Sequence, residues 1–201
     1  MSAPRERAVQ ARTVDVRRRI LDAAVEVLLE AGYAGASTVR IQERAGVSRG
    51  RLLHHFPSRD DLLVAAVHHL ARARITALGD RTQWPEEPGE RIDAAVEAVA
   101  VPFTLAFFWA TTELWTAART HAELRAALLP AEREIAQVIR EIVDASFGPD
   151  LCAHPGYADL REVVFTSLRG MALTTAFDDR PEPTARHLER VRRVARAVLL
   201  G

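Results

Sequence analysis

Apolar residues recur every three or four positions along most of the chain, which is the spacing of one face of an α-helix. In residues 14–31 this stripe includes Leu21, Ala24 and Leu28, and Gly32 then provides a helix stop. We find no convincing segment in which apolar and polar residues alternate as they do in a half-buried strand. The pattern therefore predicts an all-α protein.

Two short helices are predicted next, with a tight turn at Gly46 between them. Ser37 or Thr38 caps the first, and Ser48 caps the second, because a serine or threonine hydroxyl can accept an amide hydrogen bond from the first helical turn. The second helix ends before Pro57, since proline disfavours a helical conformation in the residue that precedes it. Together with the first helix, these elements predict a three-helix helix-turn-helix domain.

The rest of the chain predicts longer helices. A helix begins at Asp60 and ends in the loop-like stretch 79–89, and the later segments are about 90–100, 103–119, 121–147, 157–177 and 183–200. We expect Pro130 to kink or break the 121–147 segment. The predicted organisation is a helix-turn-helix domain at residues 1–59, including a basic arm, and a C-terminal helical bundle at residues 60–201.

Charge is distributed unevenly along the 201 residues. The formal net charge is zero, yet residues 1–59 hold 11 arginines against 6 acidic residues, and the remainder holds 16 arginines against 21 acidic residues. A basic N-terminal third attached to an acidic body favours a DNA-facing end whose body is held away from the phosphates.

The helix after Gly46 carries the most informative chemistry. Arg49 and Arg51 lie at its N-terminal end, where cations oppose the helix dipole, so a polyanionic partner explains them better than helix stability does. Arg51 is our candidate for bidentate recognition of a guanine edge, while Arg49 can read a base or bind a phosphate. Gly50 between them allows the backbone to approach DNA closely.

Neighbouring residues complete the candidate DNA surface. Leu53 offers an apolar contact to a thymine methyl group, the two histidines can donate to phosphates, and the residues at the start of the second helix can bind phosphate. The full candidate set is Ser37, Thr38, Arg49, Gly50, Arg51, Leu53, His54, His55 and Arg59. The arginines at positions 5, 7, 12, 17, 18 and 19 form either an arm that embraces the duplex or a solubilising tail.

These residues also carry a family resemblance. The residues that carry it are Ile20-Leu21-Asp22-Ala23-Ala24, Gly32-Tyr33, Ala45-Gly46-Val47-Ser48, His54-His55-Phe56-Pro57-Ser58 and Leu62-Leu63, together with Ile41, Gly50 and Leu52. This set resembles the N-terminal domain of the TetR/AcrR family of bacterial transcriptional regulators. The likeness covers about residues 14–64. It implies an all-helical homodimer whose C-terminal domain binds an effector and thereby moves the helix that begins near Asp60. The sequence departs from the family at Gln42, where alanine is common, and at Leu53, where a tyrosine hydroxyl commonly contacts phosphate.

The predicted helix 103–119 is rich in aromatic residues, which are either ordinary core or the wall of an effector pocket. The resemblance implies a pocket within the C-terminal bundle. The candidate effector-binding residues are Phe107, Phe108, Trp109, Thr112, Glu113, Thr116 and Arg119. Glu113 either contacts the ligand or forms an internal ion pair with an arginine.

The last two helices have amphipathic faces that can be buried against the chain itself or against a second copy. The resemblance favours a four-helix dimer interface, and a palindromic operator requires two-fold symmetry. The candidate interface residues are Val164, Leu168, Met171, Leu188, Val191, Ala195 and Val198.

Other functions find little support. The paired histidines are adjacent and point to different sides of a helix, so we expect no metal site, and we expect no cofactor. No signal peptide or membrane span is recognisable, and the lone Cys152 suits a reducing compartment, where it is either a redox switch or inert. We expect a cytoplasmic, nucleoid-associated dimer that binds double-stranded operator DNA and a small-molecule effector, most simply as a repressor. The alternatives are an effector-independent DNA-binding protein and, less favoured, a helical enzyme that uses the aromatic pocket.

Overall fold

The computed structural model describes residues 3–79, 83–177 and 180–201, with the side chains of residues 3–12 and 73–79 outside the described set. The described residues form helices and connecting turns, without a β-strand. The helices are α1 (Ala3–Gly35), α2 (Thr38–Ala45), α3 (Arg49–His55), α4 (Arg59–Gly79), α5 (Pro88–Ala100), a 3₁₀ helix (Val101–Thr104), α6 (Ala106–Ala118), α7 (Ala122–Phe147), α8 (Pro149–Cys152), α9 (Tyr157–Thr174) and α10 (Glu182–Leu199). The prediction of an all-α fold is confirmed.

The chain divides into two compact units. Unit 1 comprises Met1–Ala73 and Ala106–Ile135, and unit 2 comprises Arg74–Leu105 and Ala136–Gly201. This division differs from the predicted boundary between residues 59 and 60, because the first part of α4, all of α6 and the first part of α7 belong to the same unit as the helix-turn-helix.

The core of unit 1 explains that grouping. Ile20 and Leu28 of α1, Leu52 of α3, Leu63 of α4 and Leu114 of α6 belong to a single apolar cluster and have at most 1% of their surface exposed. Burying each of these side chains contributes about 1.5–3 kcal/mol to folding, so α6 stabilises the same core as the three N-terminal helices.

In unit 2, α10 packs against α5 and α9, and ion pairs fasten α10 to α5. Arg196 binds Asp93 through two hydrogen bonds of 2.9 and 2.8 Å, and Arg192 pairs with Glu97. The buried positions of α10 are Val191, Ala195 and Leu199, four residues apart, which is the spacing of one helix face.

Three local features differ from what the sequence pattern alone indicates. α1 begins at Ala3 and not near residue 14, so the basic N-terminal residues belong to the first turns of a helix. α7 continues through Pro130, because Leu124 and Leu128 before it and Ile135 after it are all buried and hold the helix on both sides of the missing amide. Val39 of α2 is apolar but 51% exposed, whereas Ile41 in the same helix is fully buried.

No single helix in the described part of the chain is long and apolar enough to cross a membrane. Pro88–Thr104 and Ala106–Ala118 reach the required length and composition only when they are taken together.

Candidate nucleic-acid interface

The turn between α2 and α3 has the geometry that its sequence predicts. Gly46 adopts left-handed backbone angles (φ 63°, ψ 41°), and its amide donates to the carbonyl oxygen of Glu43 over 3.2 Å. Ser37 accepts a hydrogen bond from the Arg40 amide, and Ser48 accepts one from the Arg51 amide, each over 3.3 Å. Ser37 is therefore the N-cap of α2, which decides between the two residues considered, and Thr38 is its first helical residue.

Arginines of α1 and α2 hold this turn in place. Arg19 donates a 2.5 Å hydrogen bond to the carbonyl oxygen of Ala45, and Arg44 pairs with Glu30 of α1 at 2.6 Å and Glu26 at 3.0 Å. The Arg44 guanidinium lowers the pKa of the Glu30 carboxyl. These contacts hold α2 against α1 and leave the exposed face of α3 unoccupied.

That exposed face carries the predicted cations. Arg49, Gly50 and Arg51 are all exposed, and Leu53 is 43% exposed. Among the side chains that the structure describes, no carboxylate lies within ion-pair distance of Arg49 or Arg51. A Cβ atom added to Gly50 would meet no other atom within 4 Å, so nothing in the protein itself requires glycine there.

The remaining predicted contacts lie around this face or are buried beneath it. His54 is exposed and His55 is half-buried at the C-terminal end of α3, with ring centroids 5.5 Å apart. Burial, followed by the nearby His54 and Arg17, lowers the pKa of His55. Leu52 and Phe56 are 0% and 2% exposed and belong to the core of unit 1.

Arg59 serves a different purpose from the one predicted. Its Nε donates to the carbonyl oxygen of Ala36 over 2.8 Å, a terminal nitrogen donates to the carbonyl oxygen of Tyr33, and its guanidinium lies 4.1 Å from the centre of the Tyr33 ring. We therefore remove Arg59 from the candidate DNA-binding set, because these internal contacts occupy its donors and its planar face.

The basic N-terminal residues are also used within the protein. Arg17 lies over the Phe56 ring at 5.1 Å, and Arg18 pairs with Asp15 at 2.8 Å. With Arg19 bound to Ala45, three of the arginines that were considered either as an arm or as a solubilising tail have partners within unit 1. The side chains of Arg5, Arg7 and Arg12 lie outside the described residues.

The aromatic helix α6 contains both core and exposed positions. Phe108 is 2% exposed and packs against Trp109, while Phe107 and Trp109 themselves are half-buried. Thr112 donates to the carbonyl oxygen of Phe108 in its own helix, and Thr116 and Arg119 are exposed.

Glu113 of the predicted effector set has a structural partner. Its Oε2 accepts a 3.0 Å hydrogen bond from the backbone amide of Tyr33. Neither of the two roles considered for Glu113, ligand contact or pairing with an arginine, anticipated this bond to a main-chain amide 80 residues away.

The predicted dimer residues divide into two groups. Val164, Leu168, Val191 and Ala195 have at most 7% of their surface exposed and already pack inside unit 2, so they are not available to a second copy. Met171, Leu188 and Val198 are half-buried. The apolar side chains that α9 and α10 expose lie elsewhere, at Val163 (60%), Leu173 (42%) and Val194 (50%).

Metal ligands and reactive groups add no second site. No group of three or more histidine, cysteine, aspartate or glutamate residues in the described chain could hold a metal ion. The thiol of Cys152 donates to the carbonyl oxygen of Asp144 over 3.3 Å, and burial raises its pKa. The thiol is therefore protonated at neutral pH, which disfavours a reactive cysteine.

The structural roles of Arg19, Arg44 and Tyr33 were not predicted from the sequence. Glu26 and Glu30 are four residues apart on α1 and so share a helix face, which was a usable signal for a cationic partner such as Arg44. Arg19 bonds the main-chain carbonyl of Ala45, and the main-chain amide of Tyr33 bonds the Glu113 side chain; both partners are distant in sequence, and no spacing rule predicts them.

Comparison with known proteins agrees with this geometry. The family model described as bacterial regulatory proteins, tetR family, matches residues 20–66, which span α2, α3 and the adjoining parts of α1 and α4. An uncharacterized HTH-type transcriptional regulator of Mycobacterium tuberculosis is 30% identical over 177 residues, which cover 86% of this chain and 84% of the relative.

Solved structures share the fold. A transcriptional regulator from Rhodococcus superposes with a TM-score of 0.70 at 21% identity, over 92% of this chain and 95% of that one. The multidrug binding protein EbrR, complexed with imidazole, has a TM-score of 0.61 at 27% identity, over 91% of this chain and 94% of its own. On this evidence the chain belongs to the TetR family of bacterial regulatory proteins and is a helix-turn-helix transcriptional regulator.

Proposed function

We propose that the protein is a ligand-responsive repressor that binds an inverted-repeat operator as a homodimer, with α3 of each copy in a DNA major groove. The observation that carries this proposal is the exposed surface of Arg49, Gly50 and Arg51. It combines two cations without a carboxylate partner in the described chain and a glycine that the protein's own packing does not require. Phosphates and base edges provide partners for the two cations, and close approach of DNA to α3 explains the glycine.

In this proposal the residues have separate roles. Arg51 reads a guanine edge, Arg49 contacts a base or a phosphate, and Leu53 contacts a thymine methyl group. His54 and His55 donate to the backbone at one end of α3, and Ser37 and Thr38 do so at the start of α2. The turn at Gly46, braced by Arg19 and Arg44, presents these side chains at a fixed angle.

We place the dimer surface on the exposed side of α9 and α10. Val163, Leu173 and Val194 are its apolar centre, and the half-buried Met171, Leu188 and Val198 flank it. A closed two-fold dimer brings the same face of each copy together, which matches the symmetry of an inverted repeat.

The effector is proposed to be a small, largely apolar molecule bound beside Phe107 and Trp109. Both rings are half-buried on α6, and aromatic walls are common in small-molecule sites. EbrR, complexed with imidazole and in another structure with ethidium, is a relative whose ligands fit such walls. The effector shifts operator affinity only to the extent that it binds one conformation more tightly than the other.

Membership in a family of transcriptional regulators decides against the enzyme alternative. An effector-independent DNA-binding protein differs from the proposed repressor in one measurable respect, since only the repressor changes operator affinity when it binds a ligand. We expect the protein to work in the cytoplasm on chromosomal DNA.

The test is selection of genomic fragments by the purified protein, with Arg51→Ala in parallel. We expect an inverted-repeat sequence to be enriched by the wild-type protein and lost with the variant. Equal enrichment by the two proteins would contradict recognition through α3. Compounds handled by the products of neighbouring genes are then tested for release of the operator.

A further inference from the structure

The break in α1 at Gly32 leaves a main-chain amide to be satisfied. Gly32 has left-handed φ with extended ψ (φ 64°, ψ 177°), so the helical hydrogen-bond pattern is interrupted there. The amide that follows, that of Tyr33, is bonded by Glu113 of α6 over 3.0 Å. A Cβ atom at position 32 would lie 3.0 Å from Glu113 Oε2, so glycine is also what allows the carboxylate to come this close.

The same short segment is held from its other side by α4. Arg59 donates to the carbonyl oxygens of Tyr33 and Ala36, and the Tyr33 hydroxyl donates to Asp60 Oδ1 over 2.9 Å. The next residue after Ala36 is Ser37, the N-cap of α2. The segment Gly32–Ala36 therefore joins α1 to the helix-turn-helix while α6 holds its amide and α4 holds its carbonyl groups.

We propose that Glu113 is a positioning residue for operator binding, through which α6 holds the Gly32–Ala36 segment and hence α2 and α3 in the DNA-binding arrangement. This inference rests on the proposed function and names how the same site is regulated. Glu113 lies one to two turns from Phe107 and Trp109 on α6, so a ligand that displaces α6 acts directly on the Tyr33 amide.

The neighbouring contacts explain why a carboxylate serves this role. A hydrogen bond to a charged acceptor is stronger than one to a neutral acceptor, and the amide has no helical carbonyl to replace it. The His121 ring packs edge-on against Tyr33 at 5.2 Å between centroids, which adds a second contact from the segment that follows α6. Loss of the carboxylate alone leaves this ring contact and the apolar core in place.

The experiment compares Glu113→Ala with Glu113→Gln and with Glu123→Ala, which removes an exposed carboxylate of α7 in the same unit and serves as the matched control. Operator affinity, melting temperature and hydrogen exchange at the Tyr33 amide are measured for each variant, on an operator selected with the wild-type protein. We expect Glu113→Ala to weaken operator binding about tenfold, the order expected for a lost hydrogen bond to a charged group. The Tyr33 amide then exchanges faster, while the buried Ile41 amide keeps its protection. Glu113→Gln retains an acceptor oxygen and restores most of the affinity.

The possible failures can be told apart. If the wild-type protein enriches no operator, the proposed function and this inference both fall. If the wild-type protein binds and Glu113→Ala binds equally well, only the inference is overturned. If both Glu113 variants lose melting temperature and exchange protection throughout α2 and α3, Glu113 has a general structural role, which also overturns it.

Discussion

Arg19 of α1 donates a 2.5 Å hydrogen bond to the carbonyl oxygen of Ala45, the last residue of α2. The bond places a guanidinium at the C-terminal end of α2, where a positive charge is favourable for the helix dipole. It also lies beside the turn, since a Cβ atom added to Gly46 would be 3.2 Å from Arg19 Nη2. Arg19, considered from the sequence as part of an arm or of a solubilising tail, thus supports the turn that precedes the proposed DNA-binding helix.

Gly46 in this turn and Gly50 in α3 give opposite predictions. Gly46→Ala forces a left-handed backbone on an alanine and is expected to cost about 1–2 kcal/mol of unfolding free energy. Gly50→Ala has open space and is expected to leave stability unchanged or raise it by up to about 1 kcal/mol, while operator binding is lost because the methyl group faces DNA. Urea unfolding and operator titration of both variants check this. A stable Gly50→Ala protein that binds normally would show that close backbone approach is not required.

The dimer surface gives the second prediction. Val163→Glu together with Val194→Glu puts charges at the centre of the proposed interface and is expected to yield a monomer. Its melting temperature is expected to fall only by the amount that dimerisation contributes to stability. Val14→Glu, at a similarly exposed valine of α1, is the control. Light scattering coupled to size-exclusion chromatography measures the mass. A dimer that persists in the double variant would place the interface elsewhere.

Stability is predicted to depend on pH through two histidines of unit 1. Burial is the largest cause that lowers the pKa of His55 and of His68 below the ordinary value of 6.5, and Nε2 of His68 is buried without a hydrogen-bond partner in the described structure. Below about pH 6.5 the unfolded chain therefore takes up protons that the folded chain resists, and the free energy of unfolding falls as pH falls.

Urea unfolding between pH 8 and pH 5 tests this. His68→Gln is expected to flatten the dependence, whereas His69→Gln, at a ring that is 42% exposed, is expected to keep it. An unfolding free energy that rises on acidification over this range would reverse the sign and contradict the prediction.

Cys152 gives the fourth prediction. Because burial raises the pKa of its thiol and the thiol donates to the carbonyl oxygen of Asp144, it is expected to react with a thiol reagent at pH 8 more slowly in the folded protein than in urea. Timed labelling followed by mass spectrometry provides the rates. Equal rates in the two states would revive the redox-switch alternative.

Much of the fold could be predicted because its signals are local. Ser48 as a cap, Gly46 as a left-handed turn and Pro57 as a stop fixed α3 to within a residue. The same local signals, a turn followed by a short capped helix, predicted that Arg49 and Arg51 are exposed.

The remaining features depend on tertiary partners. The pattern of α10 identified Val191 and Ala195 as part of one apolar face. The pattern alone does not determine whether that face is buried by the same chain or by a second copy. Pro130 has the sequence signature of a break, and the buried Leu128 before it and Ile135 after it override that signature. Glu113 bonds a main-chain amide exposed by a kink in another helix, so only the folded structure brings the two groups together.

The most direct test is the affinity of the selected operator relative to a scrambled duplex of equal length, measured at one salt concentration for three proteins. The wild-type protein is expected to prefer the operator strongly. Arg51→Ala should lose about 1–3 kcal/mol of that preference, because a bidentate guanine contact distinguishes bases. Arg133→Ala removes an exposed charge of α7 and should keep the preference. If Arg51→Ala discriminates as well as the wild-type and Arg133→Ala proteins do, α3 does not read the operator and the account is wrong.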